Sequence, residues 1–297
     1  MGNEQLWAKA LKRSEQAASS GALIPLGTTR IQLSGPQADH FELRQLNASL
    51  PKHHRPEGPR PNPFRPWDPQ LELECIDRDH VLILNKYPVQ RGHMLLITRQ
   101  WASQEHWITP ADWNALVCVD RDSTGLWFFN SGPRAGASQP HRHLQLLPRH
   151  LEQECCPRLE WFSARLNKPP QRSFTTLEPL VTSCAIGERP SAADPQEEAL
   201  LLHGLYRHLA QELNLGDGDV QHAPLAPYNL LLTRSWMALI RREHEEACGF
   251  SINALGFAGY LLATEHSDVP WLTTHGPEEL LRQVVPQRSR EATDVMP

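Results

Sequence analysis

His141, His143 and Gln145 alternate with other residues directly after a stretch, Ser131 to Pro140, that holds two each of glycine, proline, serine and alanine. Successive side chains of a β-strand point to opposite faces, so this spacing predicts that the two histidines and the glutamine share one face while Leu144 and Leu146 take the other. The apolar face would anchor the strand and the polar face would do chemistry. A loop of small residues brings backbone N–H groups close to an anion. Side by side, the two features predict an imidazole acting on a phosphate. Paired histidines can also ligate zinc. Zinc takes three or four ligands, however, and no Cys-x-x-Cys or His-Glu-x-x-His occurs in the chain. His-x-His-x-Gln arises by chance roughly 0.04 times in a protein of this length, so the motif needs support from its surroundings.

The elements that must position it read as α+β. Gly125 to Asn130 is a strand leading into the loop, and Leu71 to Ile76, His80 to Asn85 and His93 to Thr98 are three more, the last two joined through a hairpin-like Lys86 to Gly92. Thr109-Pro110 opens a helix to about Asp120, with threonine as N-cap and proline in the first turn. Glu4 to Ser19 has helical spacing. Pro195 to about Leu215 does too, with Leu200, Leu201, Leu205, Leu209 and Leu213 as its apolar stripe. Asn229 to Thr233 and Trp236 to Arg241 form a strand pair. The order predicts a mostly antiparallel sheet with flanking helices rather than regular β-α alternation. A Gly/Pro/Ser/Ala/Asp-rich stretch from 184 to 195 suggests a boundary, with 1–190 carrying the histidine motif and 191–297 completing one compact unit. Residues 51 to 69 hold seven prolines, with Lys52, His53, His54, Arg55, Arg60 and Arg65 against Glu57 and Asp68. They read equally as a solvated connector or as a basic strap across a polyphosphate.

With 297 residues the chain can bury a large core, and a net charge of -5 with a pI near 6.3 argues against a general nucleic-acid binder. The amino terminus lacks a signal-peptide pattern, and the apolar Phe250 to Ala263 is too short for a membrane span. A cytoplasmic protein without membrane contact is expected. Six scattered cysteines read as reduced thiols, and adjacent Cys155 and Cys156 as packing residues rather than a redox or soft-metal pair.

With these pieces located, the chain resembles the diadenosine tetraphosphate phosphorylases, or ATP adenylyltransferases, of the transferase branch of the histidine-triad superfamily. The resemblance rests on Asn62-Pro-Phe, Leu84-Asn-Lys-Tyr-Pro-Val, His93-Met-Leu-Leu-Ile-Thr98, Asn130-Ser-Gly, Gly136-Ala-Ser-Gln-Pro-His-Arg-His-Leu-Gln145 and Tyr228-Asn-Leu-Leu-Leu-Thr-Arg-Ser-Trp-Met237. It implies a histidine-triad-like fold extended by a C-terminal segment. It also implies cleavage of diadenosine tetraphosphate by phosphate to ATP and ADP, reversibly, through an adenylyl group on His143. His141 would line the site or fix the tautomer of His143, a task a backbone carbonyl could do equally well. Gln145 stands where hydrolase relatives carry a third histidine. It would give the phosphoryl oxygen a neutral hydrogen bond without activating water. Gly136, Ala137, Ser138 and Gln139 would cradle the α-phosphate. Lys52, Asn85, Lys86, Asn130, Tyr228, Asn229 and Arg234 would meet nucleotide or polyphosphate. The resemblance implies small-molecule substrates; no carboxylate cluster in the sequence suggests a dedicated metal site, no bound cofactor is expected, and Mg²⁺ is expected to accompany the nucleotide. Two other readings share the motif: a hexose-1-phosphate uridylyltransferase-like enzyme and a catalytically silent nucleotide sensor. Oligomeric state and the preferred dinucleotide are not legible.

Overall fold

The structure is a computed structural model and describes residues 4–35, 37–47, 62–150, 152–167, 178–218 and 222–287. Lys52 and the basic stretch up to residue 61 lie outside the described residues. The chain runs α1 (Gln5–Ser19), β1 (Thr28–Ile31), β2 (Glu42–Leu46), β3 (Glu72–Cys75), β4 (His80–Leu84), β5 (Met94–Thr98), α2 (Pro110–Asp120), β6 (Gly125–Asn130) and β7 (His143–Pro148). There follow α3 (Leu159–Asn167), the short α4 (Pro179–Thr182), β8 (Cys184–Glu188), α5 (Pro195–Glu212), β9 (Tyr228–Leu232) and β10 (Trp236–Arg241). The last stretch holds β11 (Glu246–Ala247), β12 (Phe250–Ser251), α6 (Ala254–Ala258), β13 (Tyr260–Ala263), α7 (Val269–His275) and α8 (Pro277–Arg282).

Eight strands form one sheet in the order β3-β4-β5-β7-β6-β9-β10-β8, with every neighbouring pair antiparallel. The sheet joins both halves of the sequence, because β6 pairs with β9. One parallel pairing, β2 with β13, occurs in a separate small sheet with β1.

Alternation along β6 and β7 sorts their side chains onto two faces. Trp127, Phe129, Leu144 and Leu146 pack under α1, α2 and α5, among Trp113, Leu116, Leu202 and Leu209. Leu126, Phe128 and Leu147 face the C-terminal segment, including Phe250, Phe257 and Leu261. Each fully buried leucine contributes about 1.5–3 kcal/mol, so Leu144 and Leu146 fix which way the intervening polar side chains point.

Two helix starts follow from local chemistry. Thr109 and Asp112 form a capping box ahead of Pro110, and Asp194 caps α5 ahead of Pro195. The stripe on α5 differs from expectation. Leu200 is 66% and Leu201 42% exposed, while Ala199, Leu202, Tyr206, Leu209 and Ala210 are buried. Leucine identity marked the helix and the later part of its face, where Leu205, Leu209 and Leu213 meet the core, but not the earlier part, where Ala199, Leu202 and Tyr206 do the packing.

Candidate active site

β7 begins at His143, one alternation later than the motif predicts, and His141 is held outside it by a single bridge to Ser103. His141 nonetheless stays on the His143 side of the strand, where the Phe64 ring lies 5.6 Å from its ring and Asn62 of the cavity wall separates it from the cavity itself. Its ring is fully buried; Nε2 donates to Thr98 O at 2.8 Å, leaving Nδ1 to accept from Asn62 Nδ2 at 2.9 Å. Burial lowers its pKa below the ordinary histidine value.

His143 is 3% exposed and lines a cavity of about 1700 Å³. Its Nδ1 lies 2.8 Å from the carbonyl oxygen of His141. A carbonyl only accepts, so Nδ1 carries the proton and Nε2 keeps a bare lone pair. Burial pushes the ring down to about 4, against the smaller upward pull of the His141 carbonyl. The imidazole is therefore neutral and nucleophilic at pH 7. Gln104 fixes the strand at this point: Oε1 accepts the His143 N–H at 2.8 Å, and Nε2 donates to Asn130 O at 2.8 Å and His143 O at 3.2 Å. Phe64, its ring centre 5.4 Å from that of His143, covers the imidazole with an apolar surface.

Behind the strand, Arg142 points into the opposite face, where Nη1 meets Asp112 Oδ2 at 2.7 Å. Asp112 Oδ1 meets His80 Nε2 at 3.0 Å, and His80 Nδ1 meets Asp77 at 3.0 Å. For Asp112, burial pushes the carboxyl pKa up, yet His80 and Arg142 outweigh it and hold it at about 2. This buried network ties the residue between the two histidines to the start of α2.

The glycine-rich loop is set by its own hydrogen bonds. The amides of Ala135, Gly136 and Ala137 donate to Gly132 O, Pro133 O and Gly132 O. Thus the Gly136 and Ala137 amides, expected to cradle phosphate, are already engaged, and Ala137 does not line the cavity. Gly136, Ser138 and Gln139 do. Gly136 has φ +84°, and a Cβ there would lie 2.7 Å from Ile252 O, so glycine is required by both conformation and space. Gln145 also lines the cavity, on the face of His143. Asn130 lines it too; its Oδ1 accepts from Asn229 Nδ2 at 2.8 Å and Ala254 N at 2.9 Å, which leaves Nδ2 as the donor toward the cavity.

Asn229 acts from behind. It is fully buried, donates to Ala135 O, and accepts from Arg242 Nη1 at 2.6 Å. Arg242, which the sequence reading does not single out, also donates to the carbonyls of Ile252 and His244 and, at 3.4 Å, to Ala135 O, so one loop carbonyl faces inward to a buried cation. Asn85 and Lys86 line the cavity. Tyr228 and Arg234 do not, contrary to expectation. Strand alternation sends Tyr228 to the helix-covered face, where its hydroxyl bonds Tyr206 at 2.5 Å. Arg234 caps the end of α2 through the Asp120 carbonyl. Phe64, His93, Gln104, Arg149 and Arg242 were missed as site residues. Asn62-Pro-Phe and His93 lay inside segments that carried the resemblance, but nothing local distinguishes Gln104 or Arg242.

Arg44, Arg65, Lys86, Arg91 and Arg149 line the cavity against Glu42, Asp68 and Glu246, so cations prevail there in a chain of net negative charge. Among the described residues no three His, Cys, Asp or Glu side chains cluster as a metal ion requires, and no helix is long and apolar enough to cross a membrane.

An antiparallel α+β frame, a bare imidazole nitrogen and a cation-lined cavity define a protein built to handle a phosphorylated ligand through histidine. The chain belongs to the Ap4A phosphorylase family of nucleotidyltransferases: the model for the Ap4A phosphorylase N-terminal domain matches residues 1–159, and that for the ATP adenylyltransferase C-terminal domain matches 170–287. It is 26% identical over 218 residues to diadenosine 5',5'''-P1,P4-tetraphosphate phosphorylase 2 of Saccharomyces cerevisiae, the match spanning 66% of each chain. It is 28% identical over 237 residues to Protein APA1 of the same yeast, spanning 71% of each. Its fold is similar to that of the yeast Ap4A phosphorylase Apa2 crystallised with Ap4A, with a TM-score of 0.71, 22% identity, and coverage of 96% of this chain and 98% of that one. The structure of Apa2 with AMP gives a TM-score of 0.71, 22% identity, and coverage of 97% and 100%.

Proposed function

We propose that the protein cleaves diadenosine tetraphosphate with inorganic phosphate to ATP and ADP, reversibly, and that His143 carries the adenylyl group between two displacements. The observation that carries this reading is the 2.8 Å contact of His143 Nδ1 with the His141 carbonyl oxygen, which places the proton on Nδ1 and leaves Nε2 free to attack from a buried, neutral ring.

In the first displacement Nε2 forms a bond to the α-phosphorus while the bond to the bridging oxygen breaks, and the electron pair leaves on ATP. Covalent capture splits one difficult step into two easier ones, and ATP needs little help from an acid as a leaving group. The positive charge that develops on the imidazole is stabilised through Nδ1–H to the His141 carbonyl. In the second displacement a phosphate oxygen takes the α-phosphorus, the N–P bond breaks, and ADP departs with neutral His143 restored. Gln145 offers a donor to the phosphoryl oxygens and cannot transfer a proton at neutral pH, which favours phosphate over water as acceptor. Ser138, Gln139 and the Nδ2 of Asn130 face the cavity as further donors. A preorganised donor is typically worth about 10²- to 10³-fold in rate.

The cavity's cations suit the polyphosphate, and Lys52 is kept as a contact to its distal end. Mg²⁺ enters with the nucleotide rather than at a site of its own. The enzyme works in the cytoplasm on this reading, where its six thiols stay reduced. Incubation with diadenosine tetraphosphate, with and without phosphate, tests the assignment. ATP and ADP should accumulate only with phosphate; ATP and AMP at an equal rate without it would contradict a transferase.

A further inference from the structure

The ring of His93 lines the cavity from the residue just before β5 and is buried. Along the β5–β7 pair Leu95 stands opposite Gln145 and Ile97 opposite His143. His93 therefore lies on their face of the sheet, diagonal to Gln145. Diagonal neighbours in an antiparallel pair are about 7–8 Å apart, within reach of long side chains.

The proton on this ring can be placed. Tyr87 N–H donates to Asn85 Oδ1 at 3.0 Å, which orients the Asn85 amide so that its Nδ2 donates to His93 Nδ1 at 3.0 Å. A ring nitrogen that accepts carries no proton, so in the neutral imidazole the proton sits on Nε2. Burial pushes the pKa down to about 3 and keeps the ring neutral. The Nε2–H is itself buried and reaches no acceptor at hydrogen-bond geometry. A buried donor calls for one. The amide of Gln145 is the neighbour that favours charge on this ring, as an oxygen turned toward it does.

We propose that His93 is a positioning residue for Gln145: its Nε2–H donates to Gln145 Oε1 and so turns the Gln145 NH2 toward a phosphoryl oxygen beside His143. This rests on the reading of His143 as adenylyl carrier. An amide is ambidextrous, and one presenting its carbonyl to an anionic phosphoryl group would repel it. Pinning Oε1 leaves only the donor end facing substrate. Each group in the series Tyr87 N–H, Asn85, His93 and Gln145 then donates to the next, and the last donates to phosphate.

The test is a double-mutant cycle read by single-turnover adenylyl transfer from diadenosine tetraphosphate to His143, with dinucleotide binding measured alongside. Gln145→Ala should slow transfer by about 10²-fold and His93→Phe by roughly 10-fold, both with little change in binding. The double variant should be no slower than Gln145→Ala alone. His93→Gln, whose side-chain NH2 can replace the ring Nε2–H, should recover most of the rate; the shorter His93→Asn should not. Losses that multiply in the double variant, or equal rates for His93→Gln and His93→Asn, would overturn the proposal. Should His93→Phe fail to fold, the glutamine and asparagine variants carry the same comparison. A wild-type protein that transfers no adenylyl group to His143 would instead bring down the reading on which this one stands.

Discussion

At the scale of the residue, the proposed nucleophile is prepared by a hydrogen bond to a carbonyl rather than by a strong base. His143 shares its proton with a carbonyl, not a carboxylate, and stands in an apolar pocket under Phe64. A charged form is disfavoured there, so the ring is ready to attack well into acid. The rate of adenylyl transfer in a single turnover should therefore rise with pH through about 4 and be flat from pH 5.5 to 8. An acid limb near 6.5 would show that the ring is solvated and that the burial argument is mistaken. In the sequence, His143 is singled out by the family resemblance, whose middle histidine it matches, since His-x-His-x-Gln alone is only suggestive. The sequence left open whether the His141 ring or a backbone carbonyl would fix the tautomer, since the path of the chain into the strand is decided by pairing partners such as Ser103, remote in sequence.

At the scale of the element, β7 is locked from both sides. Leu144 and Leu146 press it onto the helices, and Arg142 reaches through the same face to Asp112 in the first turn of α2. Removing one partner of a buried ion pair leaves the other charge uncompensated, which costs about 3–5 kcal/mol. Asp112→Ala should lower stability by about that much in urea melts, because Arg142 Nη1 and His80 Nε2 both lose their carboxylate partner. A loss below 1 kcal/mol would mean the network is dispensable. Strand and helix types are largely legible in the sequence: β6 coincides with the Gly125–Asn130 strand reading, and α2 starts where the Thr109-Pro110 cap puts it. The exposure of Leu200 and Leu201 on α5 and the turn of Tyr228 into the helix-covered face share a cause. Which face is buried depends on what packs across it, and Trp107 and Tyr206 claim the Tyr228 side.

At the scale of the whole molecule, the site is a seam between two regions of sequence. β7 and its loop come from the first half, whereas Asn229, Arg242 and Asn253 close the loop from the second. The Tyr228–Met237 segment points to Asn229, but nothing local advertises Arg242, because a buried arginine bonded to carbonyls looks in sequence like any strand-end cation. Burying neutral histidines has a global consequence. His93 and His143 have folded pKa values near 3 and 4, below the ordinary 6.5, and the pKa of His141 is lowered too. The unfolded chain thus takes up protons first, and stability falls as pH drops below 6.5. His80 has the opposite sign. Burial pulls it down, but Asp112 and Asp77 outweigh that and raise it, so its contribution is intact below 6.5 and is lost as pH rises through the raised value. The urea midpoint should accordingly decline from pH 6.5 to pH 5; a midpoint that rises over that interval would contradict burial of neutral imidazoles.

The central claim is that Nε2 of His143 holds the adenylyl group. Wild-type protein mixed with diadenosine tetraphosphate in the absence of phosphate, quenched at alkaline pH to preserve an acid-labile phosphoramidate, and digested for peptide mapping tests it most directly. The account predicts one AMP mass on the peptide containing His143, discharged as ADP when phosphate is added before the quench, and no adduct in His143→Ala with its fold retained. An adenylyl group on any other residue, or full turnover by His143→Ala, would contradict it.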